Sequence, residues 1–375
     1  MWTPATASTV LALALALSPA LTIAARDSSL GLKASHLHKN GIAFGFIPGW
    51  GEAKAPSTAT SLNAILESTP MSIVGAYANL KAADTQMKQI DGYVTDMLKI
   101  KGPKPPLQIA LMPVEGFDNV TEEIAERVAK KMASVNAQGI PVWLRYAHEQ
   151  NGDWYVWGGQ PEAFKKSWKV IATAVRKHAP DTYLLWSPNS FFGGDGATDE
   201  EMIAGKRGGW KPYYPGDDQV DIVGLSFYHY GGFERLNKRP ADGAALKMMK
   251  AFDKLYGSAK GKPMVLSETG ASFARNATTG QPSPGGATEY NIKLDWLKQL
   301  TSPQLREQVP SYKALCWDEN AGGNSPVKTM DFRLITSGDK TLNKDALNYL
   351  KSDKLKTCTN RSRIAKRTGR PMRVV

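Results

Sequence analysis

Two glutamates stand where apolar runs end. Glu149 closes residues 141–149 (PVWLRYAHE), and Glu268 follows Met264-Val265-Leu266 within residues 263–270 (PMVLSETG). A carboxylate directly after such a run is expensive to bury without a task. Two of them facing each other across a pocket suit glycosidic cleavage, in which one protonates the leaving oxygen and the other attacks the anomeric carbon. Other polar residues end similar runs: Glu115, His148, Asn189, Tyr228, His229, Asp318 and Glu319. His148 beside Glu149 raises metal binding as an option. Metal sites want His or Cys at i+3 or i+4, however, and His229 is the one other candidate nearby, so neither metal nor cofactor is expected. The chain has no Gly-x-Ser-x-Gly elbow and no Gly-rich phosphate loop, which sets esterase and nucleotide chemistry aside.

The elements that must hold these residues repeat along the chain. Eight apolar, β-rich runs occur at residues 41–48, 71–80, 107–115, 141–149, 182–189, 220–228, 263–270 and 312–320. Their near-continuous apolar character predicts strands covered on both faces, as in a parallel sheet. Helix-period segments lie between them, at 121–137, 161–178, 241–256 and 288–300. The first has Thr121 in a capping position and Glu122 and Glu123 in its first turn. Strand starts about 30–50 residues apart leave room for a strand, a loop, a helix and a loop each time, so the predicted fold is α/β, a single-domain (β/α)8 TIM barrel. In that fold the strand C-termini carry the active site. Loops are predicted at 193–218 and 276–287, which are rich in Gly, Pro and small polar residues.

Residues 143–158, WLRYAHEQNGDWYVWG, resemble the fourth-strand motif of glycoside hydrolase family 26, which includes β-mannanases: an Arg shortly before a His-Glu pair, then Asn-Gly, then a Trp followed by further aromatics. Gln150 stands where the family usually has Met. Residues 263–270 are similar to its seventh-strand nucleophile segment. The resemblance implies a retaining barrel enzyme without a catalytic metal, with Glu149 as acid/base and Glu268 as nucleophile. It also implies a polysaccharide substrate, β-1,4-mannan first and xylan or β-glucan next, and a His148 that borders the catalytic subsite. A non-catalytic glycan-binding barrel is the alternative, and it would need neither glutamate.

The candidate substrate-binding residues are Arg145, His148, Trp154, Trp157, Asn189, Tyr228 and Trp317. Trp154, Trp157 and Trp317 are read as platforms for pyranose rings. Trp168 and Trp186 are read as core, by helix periodicity and by position inside a strand. Trp50 and Trp210 sit in loops that could line a cleft. Tyr228 either hydrogen-bonds the nucleophile or is an amphipathic rim tyrosine, and Arg145 is open to pairing with Glu149. Glu115, Asp318 and Glu319 are extra rim carboxylates, suited to sugar hydroxyls or to an Arg.

Residues 10–21 are apolar, too short to span a bilayer comfortably, and are followed by small residues and then Arg26-Asp27. This reads as a signal peptide over 1–25, with the barrel over 26–356 and a basic, disordered tail over 357–375. Sequons at Asn119, Asn276 and Asn360 agree with a secreted glycoprotein. The formal charge is +12, but nine basic residues and one acid from Lys351 onward place +8 on the tail and leave +4 elsewhere. That distribution argues against a nucleic-acid partner. A monomer without a membrane span is expected. Cys316 and Cys358 either form one disulfide or leave Cys316 a buried free thiol.

Overall fold

A computed structural model describes residues 29–51, 56–67, 69–190, 209–231, 237–282, 284–322 and 328–367, with side chains as far as residue 353. The expected leader lies outside the described residues. After a short strand β1 (His38–Lys39) come seven strands: β2 (Ile42–Ile47), β3 (Val74–Leu80), β4 (Leu107–Pro113), β5 (Val142–Tyr146), β6 (Thr182–Trp186), β7 (Ile222–His229) and β8 (Met264–Ala271). After β9 (Phe273–Asn276), β10 (Tyr312–Asp318) completes the barrel set. Each of the eight runs holds one barrel strand. They pair in parallel in chain order. β10 lies along β2 from Ala314↔Ala43 to Asp318↔Ile47, and Phe46↔Val74 joins β2 to β3, so the sheet closes into a (β/α)8 barrel.

Among the described residues the helices are α1 (Ala59–Leu66), α2 (Lys88–Leu98), α3 (Glu122–Asn136), α4 (Pro161–His178), α5 (Ala244–Leu255), α6 (Glu289–Leu300), α7 (Pro303–Gln308) and α8 (Lys340–Arg367). Local chemistry sets their ends. The Thr121 hydroxyl accepts from the Ile124 amide at 3.3 Å to open α3. Pro161 starts α4, and Arg176, Lys177 and His178 fill its last turn, where the helix dipole favours cations. β11 (Ala321–Gly322), β12 (Lys328–Asp331) and β9 make a small antiparallel sheet of segments that follow β8 and β10.

Side-chain alternation along the strands divides the core in two. Phe44, Phe46, Leu144, Leu266 and Leu315 face the helices. Ala43, Ile47, Trp143, Leu185, Val265 and Cys316 fill the barrel interior, which Leu30 closes from below; its carbonyl accepts from the Trp143 indole at 2.9 Å. Space inside is tight: a Cβ at Gly45 would lie 2.1 Å from the Ile73 carbonyl oxygen.

β8 departs from strict alternation. Leu266 is level with Leu225 of β7, yet the next partners are Ser226 and Glu268. On the other side Leu315 and Trp317 of β10 face Leu266 and Thr269. Both neighbours thus meet one extra residue on β8, a β-bulge at Ser267. The bulge lets Ser267 and Glu268 both turn inward, and Thr269 resumes the outer face, where its hydroxyl bonds the Phe227 carbonyl.

Of the two alternatives for Cys316, the structure has the free, buried thiol and not a disulfide with Cys358. It lies on the inner face of β10, packed among Ala43, Ile47 and Ile73, while Cys358 sits on a helix outside the barrel; the Cys358 side chain is outside the described residues. α8 runs on as far as Arg367.

Candidate active site

The chain leaves β5 through a turn in which Ala147 and Glu149 both take left-handed backbone conformations, φ 45° and 54°. Such residues cost about 1–3 kcal/mol each and persist where the surroundings over-determine them. Here the Glu149 amide is tied to the Ser187 carbonyl at 2.9 Å. The turn delivers the Glu149 carboxyl to the barrel mouth. Its Oε2 accepts from the Trp154 indole at 2.8 Å and its Oε1 from the Asn189 amide at 2.9 Å. Gly152 makes room for that indole, since a Cβ there would lie 2.1 Å from the Trp154 ring. Burial, then the charge of Glu268, pushes the Glu149 carboxyl above the usual range.

Glu268 has the opposite setting. Arg145, fully buried in the barrel, donates to its Oε2, and the Tyr228 hydroxyl donates to its Oε1 at 2.7 Å. Arg145 also donates to the Ser187 hydroxyl at 3.0 Å and to the Ser226 hydroxyl. Burial alone would raise the Glu268 carboxyl, but the Arg145 charge and the Tyr228 hydrogen bond outweigh it and hold the group below its ordinary value. The site therefore pairs one carboxyl raised above its ordinary value with one held below it.

Of the expected binding residues, Trp154, Asn189 and Tyr228 meet the carboxyls at the mouth. Arg145, His148, Trp157 and Trp317 are buried. The pairing of Arg145 is with Glu268, not Glu149. Trp157 stacks on Tyr155 at 4.2 Å and 10°, and its indole donates to the His148 carbonyl, so it supports the turn. Trp317 falls between the inward Cys316 and Asp318, so alternation sends it to the helix side, where its indole meets the Phe332 carbonyl at 2.8 Å. Burial, then Arg145, lowers His148 to about 3, which leaves a neutral ring packed against Tyr77, Tyr155 and Trp157.

Trp168 and Trp186 are core as expected. Trp210 is buried against Phe252, and the Trp50 indole bonds the Gly75 carbonyl. Glu115 is exposed and caps the Ala82 amide. Glu319 is buried and accepts from the amides of Leu334, Ile335 and Thr336, so it anchors that loop. No group of three or more His, Cys, Asp or Glu among the described residues is placed to hold a metal ion. Sequence reading missed the serine cradle under Arg145. Ser226 lies two residues before Tyr228 and so shares its inward face, a signal that was present.

Residues 109–276, which include both glutamates, Arg145 and Tyr228, match the model of glycosyl hydrolase family 26. That stretch of the chain is similar to the family. Similar proteins include a mannan endo-1,4-β-mannosidase of Bacillus subtilis, 25% identical over 46% of this chain and 40% of that protein. A mannan endo-1,4-β-mannosidase A of Piromyces is 30% identical over 30% of this chain and 15% of that protein. The chain thus spans less than half the length of these curated relatives. A solved modular endo-β-1,4-mannanase of Cellulomonas fimi shares the fold, with a TM-score of 0.54 at 18% identity over 83% of this chain and 71% of that one.

Proposed function

We propose that the protein is a secreted, retaining endo-β-glycanase that cuts β-1,4-mannan by double displacement. The observation that carries this reading is the opposed setting of Glu149 and Glu268, one raised and one lowered by their surroundings. In the first step Glu149 gives its proton to the glycosidic oxygen, the bond from that oxygen to the anomeric carbon breaks, and a Glu268 oxygen bonds to the carbon. The ester at Glu268 is neutral, so the charge that opposed ionisation of Glu149 is gone. Glu149, now a carboxylate, takes a proton from water as that water's oxygen displaces Glu268. The Trp154 and Asn189 donors favour the ionised form of Glu149 that this second step needs. Negative charge passes from one carboxyl to the other while Arg145 stays fixed beneath them.

Mannan is favoured because the relatives just described act on it by name. Secretion is supported by the N-terminal apolar run and by the exposure of Asn119 and Asn276. No helix among the described residues is long and apolar enough to cross a membrane. The test is product analysis on mannan, xylan and mixed β-glucans, with the anomeric configuration of the first product followed by NMR. Internal cleavage of mannan with retained configuration is expected. Cleavage confined to xylan or glucan would reassign the substrate, and an inverted first product would overturn the mechanism.

A further inference from the structure

Asp318 has no part in the two steps above, yet it stands in the same mouth. It ends β10 on the inner face, beyond the stretch that matches the family model. Its Oδ2 lies 3.2 Å from the Tyr228 hydroxyl, the same hydroxyl that stands 2.7 Å from Glu268 Oε1. Its Oδ1 accepts from the Asn320 amide at 2.5 Å. A phenol carries one proton. With both carboxyls ionised, that proton is contested and two like charges flank it. With a proton on Asp318, the contest has one outcome.

We infer that Asp318 is a positioning residue that works as a carboxylic acid: it donates to the Tyr228 oxygen, and Tyr228 then gives its own proton to Glu268 Oε1. The inference deepens the proposed reaction and rests on it for the role of Glu268. The charge inventory supports it. Glu149, Glu268 and Asp318 share the mouth with one buried cation, Arg145, which Glu268 engages. Burial, then the Glu268 charge, lifts Asp318 to about 7. Among the described residues, the other groups around it offer no second cation. Tyr228 and Tyr230 approach from β7 and its end, and Tyr77 from β3; burial first, then the nearby carboxylates, keeps all three as phenols. Cys316 precedes it on β10 as a thiol, and Glu319 follows with its oxygens held by the loop amides.

The experiment uses Glu149→Gln as background, so that the acid/base does not titrate, and a dinitrophenyl β-mannoside, which needs no protonation to depart. The single-turnover burst of dinitrophenolate should fall roughly tenfold between about pH 6 and about pH 8. Adding Asp318→Asn, whose amide still donates to Tyr228 and cannot ionise, should hold the burst near its low-pH rate throughout. In a Tyr228→Phe background the same substitution should leave the pH profile unchanged. A second readout needs no turnover. A protonated-carboxyl infrared band at pH 6 should be present in Glu149→Gln and absent once Asp318→Asn is added. A burst that ignores pH with Asp318 present, the same fall after Asp318→Asn, or a missing band overturns the inference. A present band with no release from any glycoside overturns the glycosidase reading and leaves the hydrogen-bond order standing.

Discussion

Glu289, Asp331, Lys293, Arg275 and Arg333 form one cluster of buried or half-buried charge beside the barrel, and Glu149, Glu268, Asp318 and Arg145 form another in its mouth. In the first, Lys293 bridges Glu289 at 2.7 Å and Asp331 at 3.3 Å. Arg275 holds Glu289 at 2.8 Å and Arg333 holds Asp331 at 2.6 Å. Two acids face three bases, every carboxylate oxygen has a cationic donor, and β9 and β12 are locked to α6. Burial would raise Asp331, but Lys293 and Arg333 outweigh it and hold it low. In the mouth, among the described residues, three acids share one base. One carboxyl stays charged, and the other two are raised. A saturated cluster fixes a shape, whereas a cluster short of cations stores protons that a reaction can move.

The comparison breaks most completely at Glu268. Glu268→Ala should abolish turnover while the protein remains folded, because the nucleophile is gone and Arg145 keeps its serine partners. Azide added to this variant should restore release of an activated aryl glycoside by attacking from the vacated side; residual turnover of mannan near the parent rate would remove Glu268 from the mechanism. Glu149→Ala should lower the rate on mannan by about 10²–10⁴. On a dinitrophenyl glycoside the first step should be nearly spared and a glycosyl-enzyme should accumulate, visible as a mass adduct. Equal losses on both substrates would contradict the acid role.

The saturated cluster gives the converse result. Lys293→Met leaves Glu289 and Asp331 buried without their shared cation, which should cost about 3–5 kcal/mol of stability. The pH profile of the remaining activity should keep its shape, since no proton in the mouth depends on Lys293. Denaturant melts beside rate–pH curves check both halves. A moved pH profile would mean that the two clusters are coupled.

Much of this was legible in the residues themselves. All eight strand runs carried their own signal, because strands covered on both faces are apolar along their whole length. The two glutamates were legible as well, because charge at the end of such a run has few structural uses. What local reading missed depends on which face a strand residue takes. Trp317 alternates with Cys316 and Asp318, but alternation alone does not say which set faces inward. The bulge at Ser267 that brings Glu268 into the mouth shows only when β7 and β10 are laid beside β8. Trp157, read as a sugar platform, is claimed by Tyr155 and the His148 carbonyl. Glu289 and Lys293 are spaced i, i+4 on one helix, yet their partners Arg275 and Asp331 arrive from distant segments.

The smallest effect tests proton storage without any substrate. An unfolded Asp titrates near 3.9, whereas folded Asp318 is lifted to about 7 by burial and then by Glu268. Between those values the folded chain binds a proton that the unfolded chain has released. By linkage, this contribution to stability is fully present below the unfolded value and is lost as pH rises through the folded one. Asp331 runs the other way: its lowered group contributes above the unfolded value, and that contribution fades as pH falls through the folded one. Comparing the parent with Asp318→Asn cancels Asp331 and every other group the two proteins share. The melting temperature of Asp318→Asn minus that of the parent should therefore widen as pH rises from about 4 to about 7, by about 1–2 °C for each kcal/mol of linkage. Above that range it should level off, because Asp318 is then ionised in both states. A difference that stays flat across the range would mean that Asp318 holds no proton of its own, and the mouth would then resemble the saturated cluster more closely than its charge inventory implies.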